Sequence, residues 1–307
     1  MKIYINRQPI KGPWGGGAKF INAFHKHVPE MGHEVVKQES INNAPDIIML
    51  AGLDNDGIGI SAEQAIMYKM MMETQGRDVK LMLRVNENDA RKGTSDVDDY
   101  LLKIAPHVDV TVFVSNWLKD YFIQKNWGCS NNTVIINGVD SEIFKPQPKL
   151  NNGKINIAAH HWSDNKMKGF DIYELIDEFV GENSDKFTFN YIGRDRRTFK
   201  HTNVVGPLSG KKLGEELGKY DVYVSASRFD PGPNHCSEAL ASGLPTYVHT
   251  EGGGCVEFAG KSHSFSDWDE LKNILTSGNY STNTDAIKFG SWESCIGEYV
   301  KFMESIK

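Results

Sequence analysis

The chain lacks an apolar run of the roughly 18 residues that a membrane-spanning helix requires, and its opening MKIYINRQPI has no apolar stretch of the kind that directs secretion. A cytoplasmic protein with no integral membrane segment is the expectation, with peripheral membrane contact left open. Cysteine is scarce. Cys129, Cys236, Cys255 and Cys295 are the whole complement, too far apart in sequence for a metal knuckle or a redox pair, so free thiols in a reducing compartment are expected. Excess positive charge is missing too: a formal net charge of −6 gives no general attraction to nucleic acid, which is set aside as a partner. No segment repeats at a period of about 20–50 residues, which excludes a solenoid. His160-His161 and His25-Lys26-His27 have no acidic or cysteine neighbour at ligand spacing, so no metal is expected.

What the chain does have is length, 307 residues, enough for two domains of about 150 residues each. Short β-branched and aromatic segments alternate with longer amphipathic ones, the pattern of βα units around a parallel sheet, so the fold class is α/β. The first half predicts strands at KIYIN (2–6), DIIMLA (46–51), VKLMLRV (79–85), DVTVFVS (109–115) and TVIIN (133–137). Between them Ile21, Phe24, Val28 and Met31 step by three or four residues, as do Ile66, Met67 and Met70, whose methionines are expected in the core. SEIFKPQPKLNNG (141–153) loses periodicity and ends in a turn-forming Asn-Asn-Gly, which marks a link between domains 1–150 and 151–290. A second strand series follows at KINIAAH (154–160), KFTFNYIG (186–193), TNVVG (202–206), DVYVSAS (221–227) and LPTYVH (244–249). The tail 291–307, with Trp292, Ile296, Val300 and Met303 in helical step after Phe289, predicts a closing helix that packs back on the first domain.

The strongest chemical signal is SRFDPGPNHCSEALASGLPTYV (227–248), a strand, a loop and a helix in succession. The loop backbone at Gly232, Pro233 and Asn234 can approach a ligand closely, and a helix opening near His235 directs its positive end at an anion, which makes a phosphate site. Asp230 and Glu238 flank that helix start as acceptors for sugar hydroxyls. The plainer reading makes the first a loop residue and the second a solvent-facing charge. A second signal, AAHHWSDNKMKGFDIY (158–173), sets Lys168-Gly169 at the mouth of a helix, where an ammonium can neutralise a departing diphosphate as a divalent metal would elsewhere.

These segments resemble the retaining GT-B glycosyltransferases, glycosyltransferase family 4 in particular. The resemblance lies in an acid, seven residues, then Glu238-Ala239 and Gly243-Leu244-Pro245, and in Lys168-Gly169 at the family's lysine position. It extends through Gly16-Gly17 with the later MGHEV (31–35), and through VIINGVDSEIF (134–144) to Phe289-Gly290-Ser291-Trp292. The first acid is Asp230 rather than Glu, and the family's arginine position holds Trp162 beside His161. His161, Lys166 or Arg194 is left to supply that charge. The resemblance implies two Rossmann-like doubly wound lobes facing a central cleft. It also implies roles: Asp230 on the donor sugar, the backbone at Pro233–His235 on the pyrophosphate, Glu238 on ribose, and the glycine loop facing acceptor and donor phosphates.

Gly193 and Gly206 end strands in turns near which a nucleobase is expected. Arg84 and Asn86, at a strand's carboxyl end in LRVNENDARKGTSD (83–96), are the acceptor-side candidates. GPWGGGAKF (12–20) nearly imitates a nucleotide-triphosphate loop but carries Ala18 and Lys19 where lysine and a hydroxyl are required, so that reading is rejected. The expected function is metal-independent, retaining hexosyl transfer from a nucleotide-sugar to a saccharide or glycoconjugate hydroxyl, with no cofactor. The alternatives are a hydrolase using Asp230 and Glu238, an epimerase or phosphorylase on the same fold, and a non-catalytic sugar-binding protein.

Overall fold

The computed structural model describes residues 1–12, 15–37, 43–52, 59–196 and 198–307, and counts below refer to these. Pro13 and Trp14 of the glycine loop lie outside them. The first sheet holds β1 (Lys2–Ile5), β2 (Glu34–Val36), β3 (Ile47–Leu50), β4 (Lys80–Val85), β5 (Val110–Phe113) and β6 (Asn132–Val134) in the order β2-β1-β3-β4-β5-β6. The second holds β7 (Ile155–His161), β8 (Phe187–Gly193), β9 (Asn203–Val204), β10 (Val222–Ser225), β11 (Thr246–His249) and β12 (Ser264–Phe265) in the order β12-β11-β10-β7-β8-β9. Every pairing between these strands is parallel. Strands such as β3 and β5 are buried along their whole length, which is why they read as continuous apolar runs rather than alternating ones.

The connecting helices are α1 (Gly16–Glu30), α2 (Ala62–Thr74), α3 (Asp89–Lys92), α4 (Val97–Ile104), α5 (Asn116–Ile123), α6 (Phe170–Glu182), α7 (Gly210–Leu217), α8 (Asn234–Ala241), α9 (Gly254–Ala259), α10 (Trp268–Ser277) and α11 (Trp292–Ile306). Helix α1 buries Phe20, Phe24 and Val28 against Ile296, Tyr299 and Met303 of α11, so the end of the chain packs on the first sheet's helix layer. On α2 the apolar step misleads. Met67 and Met70 face solvent, 69% and 60% exposed, because Ala62, Ala65 and Met72 provide the buried face. The three-residue strand β2 and the two-residue strand β12 are too short to leave a periodic signature and were not expected.

Each sheet changes direction once. In the first, β1 is followed by β2 on one side and β3 on the other; in the second, β8 and β10 flank β7. Such switch points leave a crevice beyond the strands' carboxyl ends, where open α/β sheets bind ligands. The loop after β1 leads to Gly15 and the start of α1, the end of β7 is His160-His161, and β10 runs on to Asp230.

Candidate active site

The crevices of the two sheets merge into one cavity of about 480 Å³. Gly16 and Gly17 at the start of α1 line it from the first lobe with Arg84 and Asn86, while His161, Lys168, Gly193, Asp230, Gly232, Pro233, Asn234, His235 and Glu238 line it from the second. The helix starts nearly touch: a methyl group on Gly16 would stand 3.1 Å from the Asn234 side-chain Nδ2. Neither α1 nor α8 has a side-chain cap, and the first intrahelical bonds of α8 come from Cys236 and Ser237 to the Pro233 carbonyl. The amides of Asn234 and His235 precede those bonds, so two positive helix ends face the same space. Pro233, expected among the donors, has no amide proton and contributes its carbonyl instead.

Five cationic side chains line the cavity, Lys19, Arg84, Arg91, Lys92 and Lys168, against the three carboxylates of Glu87, Asp230 and Glu238. In a chain of formal charge −6 this is a local inversion of sign, suited to an anion with several charges. At its centre Lys168 Nζ donates to Asp230 Oδ2 at 2.8 Å, and Arg91 Nε lies 3.5 Å from the same oxygen. Burial alone would raise the Asp230 carboxyl, but Lys168 and Arg91 outweigh it and hold the group ionised well below the usual carboxylate range. Burial draws the Lys168 ammonium below its ordinary value, with Asp230 opposing. Glu238 accepts from Lys19 and contacts His160 Nε2 at 3.0 Å; burial raises its pKa, yet Lys19 and His160 bring it below the ordinary range.

Backbone geometry sets Lys168. It ends a single turn of 3-10 helix at Lys166–Lys168, and Gly169, at φ +83°, redirects the chain into α6. A Cβ on Gly169 would sit 2.1 Å from the Ala226 carbonyl oxygen. Gly169→Ala is therefore expected to cost at least about 1–3 kcal/mol, read as a lower urea midpoint, and to displace Lys168 from Asp230. Gly193 answers a similar need: at φ +137° its α-carbon faces the His161 carbonyl oxygen, 1.8 Å from where a Cβ would be.

Several expectations are corrected. Arg84 borders the cavity, but its guanidinium donates to Asn137 Oδ1 at 2.9 Å and to the Tyr299 hydroxyl at 3.2 Å, and lies 4.0 Å over the Phe20 ring. These contacts tie α1 and α11 to the cavity floor. Arg194 does not line the cavity, its guanidinium lying 5.7 Å from the Trp162 ring centre, and Lys166 is exposed outside it. Gly206 is also outside, and the same loop sends Pro207, Leu208 and Ser209 inward in its place. His161 cannot be a cation: burial, and then Lys168, hold its pKa far below the ordinary value, and its Nε2 meets the Tyr173 hydroxyl at 2.7 Å. Although distant in sequence, Cys236 and Cys255 come together with His235, their ligand-type atoms within 4.8 Å of one another. His235 Nε2 lies 2.8 Å from Ser225 Oγ, and burial pushes the Cys236 thiol far up, so it keeps its proton.

Lys19 and Arg91 were missed. Lys19 stands one place from the position a phosphate loop requires, and Arg91 sits in a charged stretch read only through its first half. Neither has a local signature, since each acts across the cleft. Three further atoms mark the cavity as a binding site: His160 Nδ1, His161 Nδ1 and Asn234 Nδ2 are buried with no hydrogen-bond partner among the described residues, and all three residues line it. A buried polar atom left unpaired costs about 1–3 kcal/mol, which a ligand here could recover.

No protein-family model matches the chain, and no curated protein matches it. Solved structures do. HepE of Anabaena, in complex with UDP-glucose, superimposes with a TM-score of 0.71 at 14% identity over 99% of this chain and 100% of that one. Sucrose-phosphate synthase from Thermosynechococcus elongatus gives 0.69 at 11% identity over 99% and 98%. The pneumococcal O-GlcNAc transferase GtfA, in complex with UDP and GlcNAc, gives 0.60 at 14% identity over 85% of this chain and 56% of its own. These neighbours are GT-B glycosyltransferases, and the chain has the GT-B fold: two Rossmann-like α/β lobes whose parallel sheets face one cleft.

Proposed function

We propose that the chain is a retaining glycosyltransferase that moves a sugar from a nucleotide-diphosphate donor to a hydroxyl on a saccharide or glycoconjugate, without a metal ion. Residues 1–150 form the acceptor side, 151–290 the donor side, and 291–307 the closing helix. The observation that carries this is the buried Lys168–Asp230 pair beside the open amides of α8. Asp230 orients the donor sugar while Lys168 and the helix end receive the diphosphate. The bond from the anomeric carbon to the leaving phosphate oxygen breaks as the acceptor oxygen bonds to that carbon on the same face. The acceptor's proton passes to the departing phosphate, which balances the step without a protein base. Lys168 and the amides lower the barrier because the leaving charge grows where they already point.

HepE's UDP-glucose complex and GtfA's UDP complex favour a uridine donor. Glycoside hydrolysis is disfavoured, since it needs one carboxylic acid held protonated and both Asp230 and Glu238 are driven below the ordinary range. Melting curves with UDP-, GDP- and ADP-sugars are the direct test. A donor at about 100 times its dissociation constant should add about 2.7 kcal/mol of stability, and labelled sugar should pass to an acceptor in EDTA. If no nucleotide-sugar raises the melting temperature, the proposal fails.

A further inference from the structure

A diphosphate leaving a sugar carries more charge than one lysine neutralises, and the second lobe offers no other free cation near Asp230 among the described residues: Arg194 and Lys166 lie outside the cavity, and the histidines are neutral. On the first lobe, Arg84 is held by Asn137 and Tyr299, Lys19 by Glu238, and Lys92 by Glu87. Arg91 differs. Its side chain is 14% exposed, it lines the cavity, and its Nε approaches the very oxygen that accepts from Lys168.

The approach is built. Asn88 caps α3 by accepting the Arg91 amide on Oδ1 at 2.7 Å, and its Nδ2 donates to the Phe229 carbonyl across the cleft at 3.1 Å. Phe229 sits at φ +53°, a conformation rare for an aromatic residue, directly before Asp230. One first-lobe asparagine thus holds both Arg91 and the turn that presents Asp230. With Nε turned to the carboxylate, the two terminal nitrogens of the guanidinium remain as a fork matched to phosphate oxygens.

We propose that Arg91 is the second cation of the diphosphate cradle, supplied by the lobe opposite Lys168, so that the cradle is complete only when the lobes are closed. This rests on the glycosyltransferase reading above. A donor can dock on the second lobe alone, so Arg91 acts mainly on the diphosphate once its leaving charge has developed, in the transition state and in the released group, rather than on the intact donor. Closure and catalysis are coupled through one side chain.

The test compares wild type with Arg91→Gln and Arg91→Lys, each checked for an unaltered far-ultraviolet spectrum. Arg91→Gln should lower kcat by on the order of 100-fold with a much smaller change in donor KM, and added guanidinium ion should restore part of the lost rate. Arg91→Lys should recover little, because an ammonium lacks the fork. Calorimetry with inorganic pyrophosphate supplies a readout that needs no transfer: affinity should fall at least about tenfold in Arg91→Gln, the loss of one charged contact. An unchanged kcat, or pyrophosphate binding equal to wild type, overturns the proposal. If wild type binds pyrophosphate but transfers no sugar, the glycosyltransferase reading fails while the pyrophosphate comparison still decides Arg91. If wild type does not bind pyrophosphate, both fall.

Discussion

Replacing Lys168 with alanine should lower kcat on the order of 100- to 1,000-fold, the usual cost of deleting one preorganised charge opposite a developing anion. The donor KM should move less, because the amides of α8 and the lining of the β8 side remain. Lys168 is also the partner of a buried carboxylate at 2.8 Å, so the variant should lose stability as well, and its rates belong at a temperature where it is fully folded. Lys168→Arg separates the two effects. It keeps a positive charge beside Asp230 and should recover much of the stability, but its larger head should leave turnover well below wild type. A kcat within a few-fold of wild type in the alanine variant would remove Lys168 from the mechanism.

The second large effect is on stability. Asp230→Asn keeps the shape of the side chain but strands the buried Lys168 ammonium and the Arg91 guanidinium without their shared counter-ion. Breaking one side of a buried ion pair typically costs about 3–5 kcal/mol, read here as a fall in the urea midpoint at neutral pH. The pH dependence follows from the same charges. Because the folded carboxyl is held well below its unfolded value, the unfolded chain binds its proton first as the solution is acidified. The contribution is therefore complete at neutral pH and is lost progressively from about pH 5 downward. Wild type should lose stability more steeply than Asp230→Asn across that interval. Parallel curves would mean that folding does not lower the Asp230 pKa.

Strand positions were legible because a buried strand writes its burial into consecutive residues. KIYIN, VKLMLRV and KFTFNYIG each contain the strand later found in the fold. The loop that opens onto the cavity was legible for the same local reason, since strand, loop and helix occupy about 20 consecutive residues between Val222 and Ala241. The methionines of α2 show the limit: Met67 and Met70 satisfy the helical step, but a small-residue face of Ala62 and Ala65 lies closer to the sheet and takes the buried side.

By itself the sequence determined two βα series, a glycine loop before the first helix, and the lysine and carboxylates around the loop before α8, all encoded over short spans by periodicity and turn chemistry. Only the tertiary structure decided how charges pair across the cleft: Lys19 with Glu238 at a separation of 219 residues, Arg91 with Asp230, and Arg84 withdrawn into the packing of α1 and α11. The reason is physical. A hydrophobic pattern is enforced at every residue along an element, whereas an ion pair between lobes depends on where two rigid bodies meet, and no local stretch of either partner carries that information.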